Sequence, residues 1–471
     1  MKRNYIYIVL SLIITTLTSC DDYVDIKTEG MLFPEETENY RFLLNNTSIY
    51  DKSYSLVDIA SDDIIIRDDH ANYFENNYGT SAYYRPYKET YKLADSIYFT
   101  GEPDYEINTI YSGLYAANVV ITEVLDSKNG TEEEKVALQG EALVHRAYIF
   151  FSLVNIFGKA YDATTATTDL GIPMLTEPTV DADITRATVQ EVYDQIINDL
   201  NTAIISGLPA TRTGTEVGFP SQASAYALLA RTHLYMHNYE EALINANAAL
   251  ELQNTLLNLE DYENTPDYSW PRRIQNPELI LSKTSTNSYG FSPTLLSLSD
   301  ELLNLFDLND LRYQLYTRSN SDMSYSAFTE GRSLCVALLT GEARNAGPTV
   351  PEMLLIQAEC MARMGDISGA MNSVNTLRQA RFRAEEYVAL TATNNEDALV
   401  KVLEERRREL MGKGGFRWFD LKRLNKDNRF AKSFSHSYLD YTVTLEPGSD
   451  RYQFPFASNL FINAPNLEQN P

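Results

Sequence analysis

The sequence predicts a mostly α-helical fold, in which helices and helical hairpins alternate with long ordered loops that carry little β-structure. Apolar residues recur at helical spacing in several segments, and two of the later segments match each other in register. The 32 Tyr of the chain indicate that the loops are ordered, since disordered segments lack aromatic residues. A chain of 471 residues can bury a large core, as one large helical domain or as two intimately packed ones.

Three early segments place their apolar residues on one face of a helix, at steps of three and four residues. They are 110–124, 143–157 and 189–203. Gly158 ends the second segment, because glycine commonly follows the last turn of a helix. Thr188 precedes the third segment and Glu191 follows three residues later, which is the capping-box pattern. We therefore predict that a helix begins directly after Thr188.

An internal repeat lies in the second half of the chain. The apolar positions of 227–249 recur with the same spacing in 355–377, and each set contains a tight turn. A helix, a tight turn and a helix with small residues on its inner face resemble a tetratricopeptide unit. Because the two copies lie far apart in the chain, the sequence predicts scattered hairpin units and not a regular array. Polar segments with many Tyr separate the helical ones; they are 60–108, 160–187, 206–221, 254–350 and 426–471.

The N-terminus has the features of a secretory signal. Lys2 and Arg3 precede an apolar stretch, 6–17, which is too short to be a membrane-spanning helix. The tetrapeptide that ends at Cys20 resembles a bacterial lipobox, in which the cysteine thiol is acylated and becomes the new N-terminus. We therefore predict a signal peptide over residues 1–19 and a lipid anchor on Cys20, whose acyl chains hold by burying CH₂ groups.

Composition and motifs exclude several classes of function. The net charge is −26, and it becomes −28 without the two positive charges of the signal peptide. Such a chain lacks the cationic face that binding to nucleic acid requires. The five His show no metal-ligand spacing, and no phosphate loop or nucleophile elbow is present, so we predict no metal, no cofactor and no catalytic residue. Cys335 and Cys360 either pair or remain buried thiols, and we favour buried thiols.

Five blocks of sequence, in order, resemble the SusD/RagB family of surface lipoproteins, which serve nutrient importers of the Bacteroidetes. The blocks are 141–158, 223–250, 352–381, 404–423 and 454–471. The resemblance covers essentially the whole chain and implies one SusD-like domain over residues 20–471, with an N-terminal part, 20–221, and a C-terminal part, 222–471. Asp21 and Asp22, directly after Cys20, resemble the surface-export signal of that phylum.

The resemblance also implies a function and a location. The protein would be a non-catalytic binding protein, lipid-anchored on the outer face of the outer membrane. It would capture glycan or peptide and deliver it to a SusC-like TonB-dependent transporter barrel. Its acidic charge disfavours anionic polysaccharides and leaves neutral glycans or peptides as ligands.

The fourth block predicts buried charges. Arg406, Arg407, Glu409, Arg417 and Asp420 are expected to form a charge network, because charged groups in partly buried places need partners. Trp418, in the same block, is expected in the core.

Two aromatic-rich stretches are the candidate ligand sites, because sugar faces pack on aromatic rings while hydroxyls pair with amides and charged groups. The first contributes Tyr73, Asn76, Tyr78, Tyr83, Tyr84 and Arg85; the second contributes Trp270 and Tyr289. We rank Trp270 first, because it lies between two prolines and outside any helical pattern. The alternative is that these aromatic side chains cover the helices as structural lids.

Two other classes of function stay open at this stage. A surface glycoside hydrolase needs two carboxylates at a fixed separation, and the 65 acidic residues leave room for such a pair. No catalytic motif supports it, however. A scaffold or adhesin without a small ligand is the other class, and binding to a soluble polymer distinguishes it from a glycan-binding protein.

Overall fold

The structure is a computed structural model that describes residues 34–82, 84–179, 183–285, 297–323 and 329–471. Over these residues the protein is mostly α-helical, as predicted. The helices are α1 (Thr37–Leu44), α2 (Thr47–Tyr50), α3 (Leu56–Ile59), α4 (Asp68–Tyr78), α5 (Arg85–Tyr91), α6 (Tyr105–Glu123), α7 (Glu132–Phe157), α8 (Val189–Ile204), α9 (Gln222–Tyr235), α10 (Tyr239–Leu252), α11 (Asp300–Leu303), α12 (Val336–Thr340), α13 (Val350–Met364), α14 (Ile367–Gln379), α15 (Asn395–Leu410), α16 (Phe416–Leu424) and α17 (Leu460–Asn463). In the described part of the chain, no helix has both the length and the hydrophobicity that a bilayer crossing requires.

The three early helices form where the periodicity predicts them, as α6, α7 and α8. Helix α7 ends at Phe157, and Gly158 follows it in an extended conformation. The capping box of α8 is confirmed. The backbone N–H of Glu191 donates to Thr188 Oγ1 at 3.2 Å, and the backbone N–H of Thr188 donates to Glu191 Oε2 at 2.8 Å.

The internal repeat forms two helical hairpins, α9–α10 and α13–α14, that share one turn geometry. His237 in the first turn and Gly365 in the second occupy equivalent positions of the repeat, and both have left-handed backbone conformations, with φ of 62° and 92°. Small side chains such as Ala242 and Ala246 are fully buried on the inner face of α10. As a result α10 packs directly against α13, and the two hairpins form one helical layer.

Strands are short, and two of the sheets join segments that lie far apart in the sequence. The described residues form four two-stranded sheets. Strand β1 (Lys52–Ser53) runs parallel to β3 (Thr284–Ser285), and β2 (Ile64–Ile65) runs antiparallel to β4 (Ser297–Leu298). The other two sheets are antiparallel, β5 (Thr317–Ser319) with β6 (Arg332–Leu334) and β7 (Phe434–Tyr438) with β8 (Tyr441–Leu445).

One polar segment is more regular than the sequence suggests. The polar segment 60–108, which the sequence predicts as one of the long ordered loops between helices, contains α4, α5 and the first turn of α6. Helix α4 buries only His70, Ala71 and Phe74. This apolar stripe is short and is hidden by the surrounding Asp and Asn, so the periodicity does not reveal it.

The main hydrophobic core extends from Tyr54 in the N-terminal part to Leu467 near the C-terminus. Trp418 lies inside it and is 0% exposed, as expected. Cys335 and Cys360 are both buried and free, in agreement with the buried-thiol prediction. Burial raises the pKa of the Cys335 thiol to about 12, which leaves it unreactive at neutral pH.

The expected charge network is present, and much of it is buried. Arg406 Nε donates to Asp420 Oδ2 at 2.7 Å. Glu409 accepts hydrogen bonds from two further arginines, Arg312 at 3.0 Å and Arg381 at 2.9 Å. These interactions join α15 and α16 to the segment directly after α14 and to the segment before β5.

The same network also reaches the N-terminal part. Arg407 Nε donates to Asp63 Oδ1 at 2.7 Å, and Arg417 Nε donates to Asp62 Oδ1 at 2.6 Å. Asp62 and Asp63 lie between α3 and β2, so these bonds connect segments from opposite ends of the sequence. The fourth sequence block therefore binds the segment between α3 and β2 to α15 and α16.

Candidate functional site

The first aromatic stretch folds into one cluster at the junction of α4 and α5. The rings of Tyr78 and Tyr84 lie 4.2 Å apart, measured between centroids, and Tyr84 also meets Phe74 edge-on at 5.5 Å. Tyr73 contacts Tyr78 at 6.2 Å, and Tyr87 contacts Tyr84 at 6.5 Å. The structure thus brings Tyr73, Tyr78 and Tyr84 together, with all three rings partly exposed.

The other residues of the first stretch surround this cluster. Asn76 is exposed on the outer side of α4. Arg85 begins α5, and its guanidinium packs over the Phe99 ring at 4.3 Å from the centroid. Tyr83, together with Tyr289 of the second stretch and the acylation candidate Cys20, lies outside the described residues.

Trp270 is buried, although the sequence analysis ranks it first among the candidate ligand-binding residues. It is 4% exposed and packs in a separate hydrophobic cluster with Leu259, Leu311 and other leucines. Tyr262 and Tyr316 pack against the indole at centroid distances of 5.2 and 6.1 Å, and its Nε1–H donates to Thr265 O at 3.3 Å. The flanking prolines mark an irregular backbone, and in this structure the backbone folds the indole inward instead of exposing it.

A pocket of about 430 Å³ opens beside the aromatic cluster. Its lining is mostly apolar and comes from α5, from the loop before α6 and from the start of α6. We call it the first pocket; it is lined by Leu56, Ala82, Pro86, Tyr87, Tyr98, Glu102, Pro103, Asp104, Tyr105 and Glu106. Tyr87 and Tyr98 form its buried wall, whereas Tyr105 is 75% exposed at its mouth. Volumes of this size are typical of sites for small ligands.

Hydrogen bonds to Asp104 hold the wall of the first pocket in place. Asp104 is the N-cap of α6 and accepts from the backbone N–H of Ile107 at 3.0 Å. Tyr54 OH donates to its other oxygen at 3.0 Å and lies 3.2 Å from Tyr98 OH. Burial raises the pKa of Asp104 and keeps the pKa of both phenols well above the ordinary value. The two phenols therefore stay protonated at neutral pH.

The carboxylates of the first pocket are occupied by structural hydrogen bonds. Glu106 accepts from the backbone N–H of Ser55 at 2.7 Å and from the Ser55 hydroxyl. Glu102 accepts from the backbone N–H of Phe99 at 3.2 Å. Acids that fix the backbone in this way, together with the capping Asp104, favour binding over acid–base catalysis. In the described residues, no three His, Cys, Asp or Glu side chains are grouped so that they could hold a metal ion.

A second pocket, of about 460 Å³, lies further along α6. It is lined by Asn108, Tyr111, Ser112, Leu114, Tyr115, Asn118, Leu175, Glu177 and Thr179. Tyr111 OH donates to Pro173 O at 3.0 Å, and Asn118 Nδ2 donates to Leu175 O at 2.8 Å. Arg146 Nη1 donates to the Asn118 side-chain carbonyl at 3.1 Å. These bonds fix the far wall of the second pocket, 175–179, against α6.

The sequence interpretation missed Tyr98, Tyr105 and Tyr115. Tyr105 and Tyr115 lie on the polar face of α6, where they are 75% and 45% exposed. The signal that could have found them is a large aromatic residue on the helix face opposite the apolar stripe of 110–124. Tyr98 gives no such signal, because it lies in an irregular segment.

Comparison with known proteins shows the family of this chain. A family model described as "Starch-binding associating with outer membrane" matches residues 22–235, and the model of the SusD family matches residues 350–471. The chain belongs to the SusD family. The resemblance predicted from the five sequence blocks is therefore confirmed, and both pockets lie within the first matched region.

Solved SusD structures share the fold of this chain. A SusD superfamily protein from Bacteroides thetaiotaomicron has a TM-score of 0.69 at 21% identity, covering 93% of this chain and 100% of that chain. A putative sugar binding protein from Bacteroides vulgatus has a TM-score of 0.68 at 19% identity, covering 94% of this chain and 99% of that chain. The SusD-like protein P38 of Formosa agariphila is 23% identical, over 76% of this chain and 78% of that protein. The predicted SusD-like, mostly helical fold is confirmed.

Proposed function

We propose that this protein is a non-catalytic, lipid-anchored surface protein that captures a glycan and passes it to a SusC-like TonB-dependent transporter barrel in the outer membrane. The observation that carries the proposal is the first pocket, in which Tyr87, Tyr98 and Tyr105 border an apolar cavity in a SusD-family chain. Support also comes from the Bacteroides vulgatus structure, which is named a putative sugar binding protein.

The chemistry of the first pocket suits a neutral sugar. Exposed aromatic rings such as Tyr105 offer a surface on which the C–H groups of a sugar face can pack. The Glu102 carboxylate accepts one backbone N–H, and its remaining lone pairs can accept hydrogen bonds from sugar hydroxyls, while Glu106 adds negative charge at the same pocket. The same carboxylates repel uronates and sulfates, since like charges at short distance are unfavourable.

Binding by the first pocket is tested with Tyr105→Ala. Loss of one stacking aromatic is expected to weaken affinity about tenfold, which corresponds to roughly 1.4 kcal/mol. Affinity electrophoresis through gels containing starch, xylan, mannan or β-glucan identifies the polymer, and calorimetry measures its oligosaccharides. Tyr268→Ala is the matched control. Tyr268 is also exposed, by 53%, but it belongs to the segment around Trp270 and does not line the first pocket. Equal affinity of the wild type and Tyr105→Ala, or steady release of product from the bound glycan, would refute the proposal.

The lipid anchor is tested with Cys20→Ala. The variant lacks the thiol that receives the acyl group, so we expect it to leave the membrane fraction. The measurement is detergent-phase partitioning of cells that express either form. Cys335→Ala is the control, because it removes a buried thiol outside the N-terminal signal and should leave the protein in the membrane fraction. Retention of Cys20→Ala in the detergent phase would show that something other than Cys20 anchors the protein.

A further inference from the structure

The two pockets lie along the same helix. Tyr105 belongs to the first pocket and Tyr115 to the second, and both lie on α6. Ten residues separate them, so their Cα atoms are about 15 Å apart at the usual rise of an α-helix. Both rings are exposed, by 75% and 45%. Two places along α6 are therefore each marked by an accessible aromatic side chain.

A continuous exposed stripe connects the two tyrosines. Asn108 and Ser112 lie between them and are also exposed, so exposed side chains recur at steps of three, four and three residues. This spacing places all four on one face of the helix. The stripe thus alternates a ring, two small polar side chains and a second ring.

We propose that the second pocket is a further glycan subsite, and that one extended, neutral oligosaccharide lies along α6 and occupies both pockets. This inference rests on the proposed function and extends it. Each pocket has a volume suited to a small saccharide unit, about 430 Å³ in the first and about 460 Å³ in the second. Tyr105 and Tyr115 stack on the two ends of the chain. Between them the Asn108 amide binds sugar hydroxyls, and the Ser112 hydroxyl, which donates to Asn108 O at 2.8 Å, accepts a hydrogen bond from one.

The second pocket is preorganised, as a binding subsite requires. Its far wall, 175–179, is fixed to α6 by the bonds from Tyr111 to Pro173 and from Asn118 to Leu175. Asn118 is held in turn by Arg146, which forms a bidentate pair with Asp199 at 2.7 Å for both bonds. A ligand that enters this pocket does not have to order the wall first, and so more of its contact energy appears as affinity.

An extended peptide fits this surface less well than a sugar chain. Peptides that bind by strand addition need the free backbone donors and acceptors of a sheet edge. The surface between the two pockets is the side of an α-helix, whose backbone groups are hydrogen-bonded within the helix. Side-chain amides, hydroxyls and rings are what this face offers, and these are the groups that bind sugars.

Occupation of both pockets by one chain predicts a specific dependence of affinity on ligand length. A ligand too short to reach from Tyr105 to Tyr115 binds one pocket only. Once the chain spans about 15 Å, the second contact becomes intramolecular, and affinity rises without any change in the first contact. Affinity then levels off for longer ligands.

The test measures affinity by calorimetry across size ladders of malto-, cello-, manno- and xylo-oligosaccharides. For the series that binds, Tyr115→Ala is expected to leave the affinity of the shortest ligands unchanged and to lower that of the longest about tenfold. Tyr105→Ala is expected to lower the affinity for ligands of every length. Ser112→Arg, which fills the stripe between the pockets, is a second variant that should abolish the gain with length. Tyr268→Ala is again the control, and circular dichroism confirms folding.

The outcomes separate this inference from the proposed function. The second subsite would be overturned if Tyr115→Ala and Ser112→Arg bind the longest ligands as tightly as the wild type while Tyr105→Ala binds them more weakly. That result would leave the proposed function standing. An equal loss at every length in Tyr115→Ala would also overturn the single-chain arrangement. Absence of binding by every series to the wild type would refute the proposed function, and this inference would fail with it.

Discussion

Replacing Arg231 with methionine is expected to lower the free energy of unfolding by about 3–5 kcal/mol, because it leaves a buried carboxylate without its partner. Arg231 Nε and Nη2 donate to the two oxygens of Glu352, both at 2.7 Å. The two side chains are 3% and 0% exposed. Arg231 belongs to α9 and Glu352 to α13, so the pair joins the two repeated hairpins. Chemical denaturation of the wild type and the variant measures the effect.

Two control variants identify the origin of this loss. The double variant Arg231→Met with Glu352→Leu removes both charges, and it should recover most of the stability, since apolar replacements of a buried ion pair are often neutral. Arg429→Met removes a half-exposed partner of Asp427 and should lower stability by about 1 kcal/mol or less. A single variant Arg231→Met that is as stable as the wild type would mean that Glu352 finds another partner or takes up a proton.

The helices could be predicted from the sequence because periodicity is a local property. In segments 110–124 and 189–203 the spacing of the apolar residues alone shows which face of the helix is buried. The pair Thr188 and Glu191 marks the start of a helix within four residues. The repeat could also be read, down to the turn positions His237 and Gly365. Helix α4 was missed because its apolar stripe is only a few residues long.

Charge pairing within the repeat shows what local patterns leave open. Arg231 and Glu359 occupy equivalent positions of the repeat, in α9 and α13. They carry opposite charges, and each finds a different partner, Glu352 for Arg231 and Arg423 for Glu359. The helical pattern is retained while the charge is reversed. Which partner a buried charge finds depends on tertiary packing, and sequence spacing does not encode it.

The candidate site was predictable in part for the same reason. Tyr73, Tyr78 and Tyr84 are close in the sequence, and their rings are also close in the structure, because a short turn joins α4 to α5. Trp270 was ranked by its irregular surroundings, but leucines from three separate segments cover it. The exposure of a ring depends on which side chains pack on it. For Trp270 and Tyr105 this depends on tertiary structure, which the local sequence does not show.

Between about pH 7 and pH 4, two titratable groups, Asp58 and His237, act on stability in opposite directions. Burial raises the pKa of Asp58 to about 7 from 3.8, against the hydrogen bond from Gly415 N–H at 2.8 Å. The folded state therefore holds a proton that the unfolded state releases, and Asp58 favours folding as pH falls from 7 to 3.8. Burial lowers the pKa of His237 to about 4 from 6.5, so the unfolded state takes up the proton first, and stability decreases as pH falls over that window.

Below pH 4.5 the buried carboxylates of the arginine network are expected to determine stability, and the protein should unfold steeply. Burial disfavours the charged form of Glu405, but the attraction of Arg312, Arg408 and Arg378 outweighs it and lowers the pKa from 4.5 to about 2. Glu359 and Glu409 are lowered in the same direction, also by arginines. A carboxyl with a lowered folded pKa contributes stability that is complete above its unfolded value and is lost as pH falls through the folded value.

The sign and size of this acid effect can be measured on Glu405→Gln. In the wild type, protonation of Glu405 alone should remove roughly 3 kcal/mol between pH 4.5 and 2, at about 1.4 kcal/mol for each pKa unit. The glutamine variant cannot be protonated there, so it should be less stable than the wild type at pH 7 and lose less on acidification. Asp397→Asn is the matched control, because the Asp397 carboxylate lies on the exposed N-terminus of the same helix and makes only partly exposed contacts with Lys401 and Thr393. Denaturation curves at steps from pH 7 to 2 give both slopes. Parallel curves for the wild type and Glu405→Gln below pH 4.5 would show that the acid sensitivity of the fold arises elsewhere than at the buried pairs of Glu405.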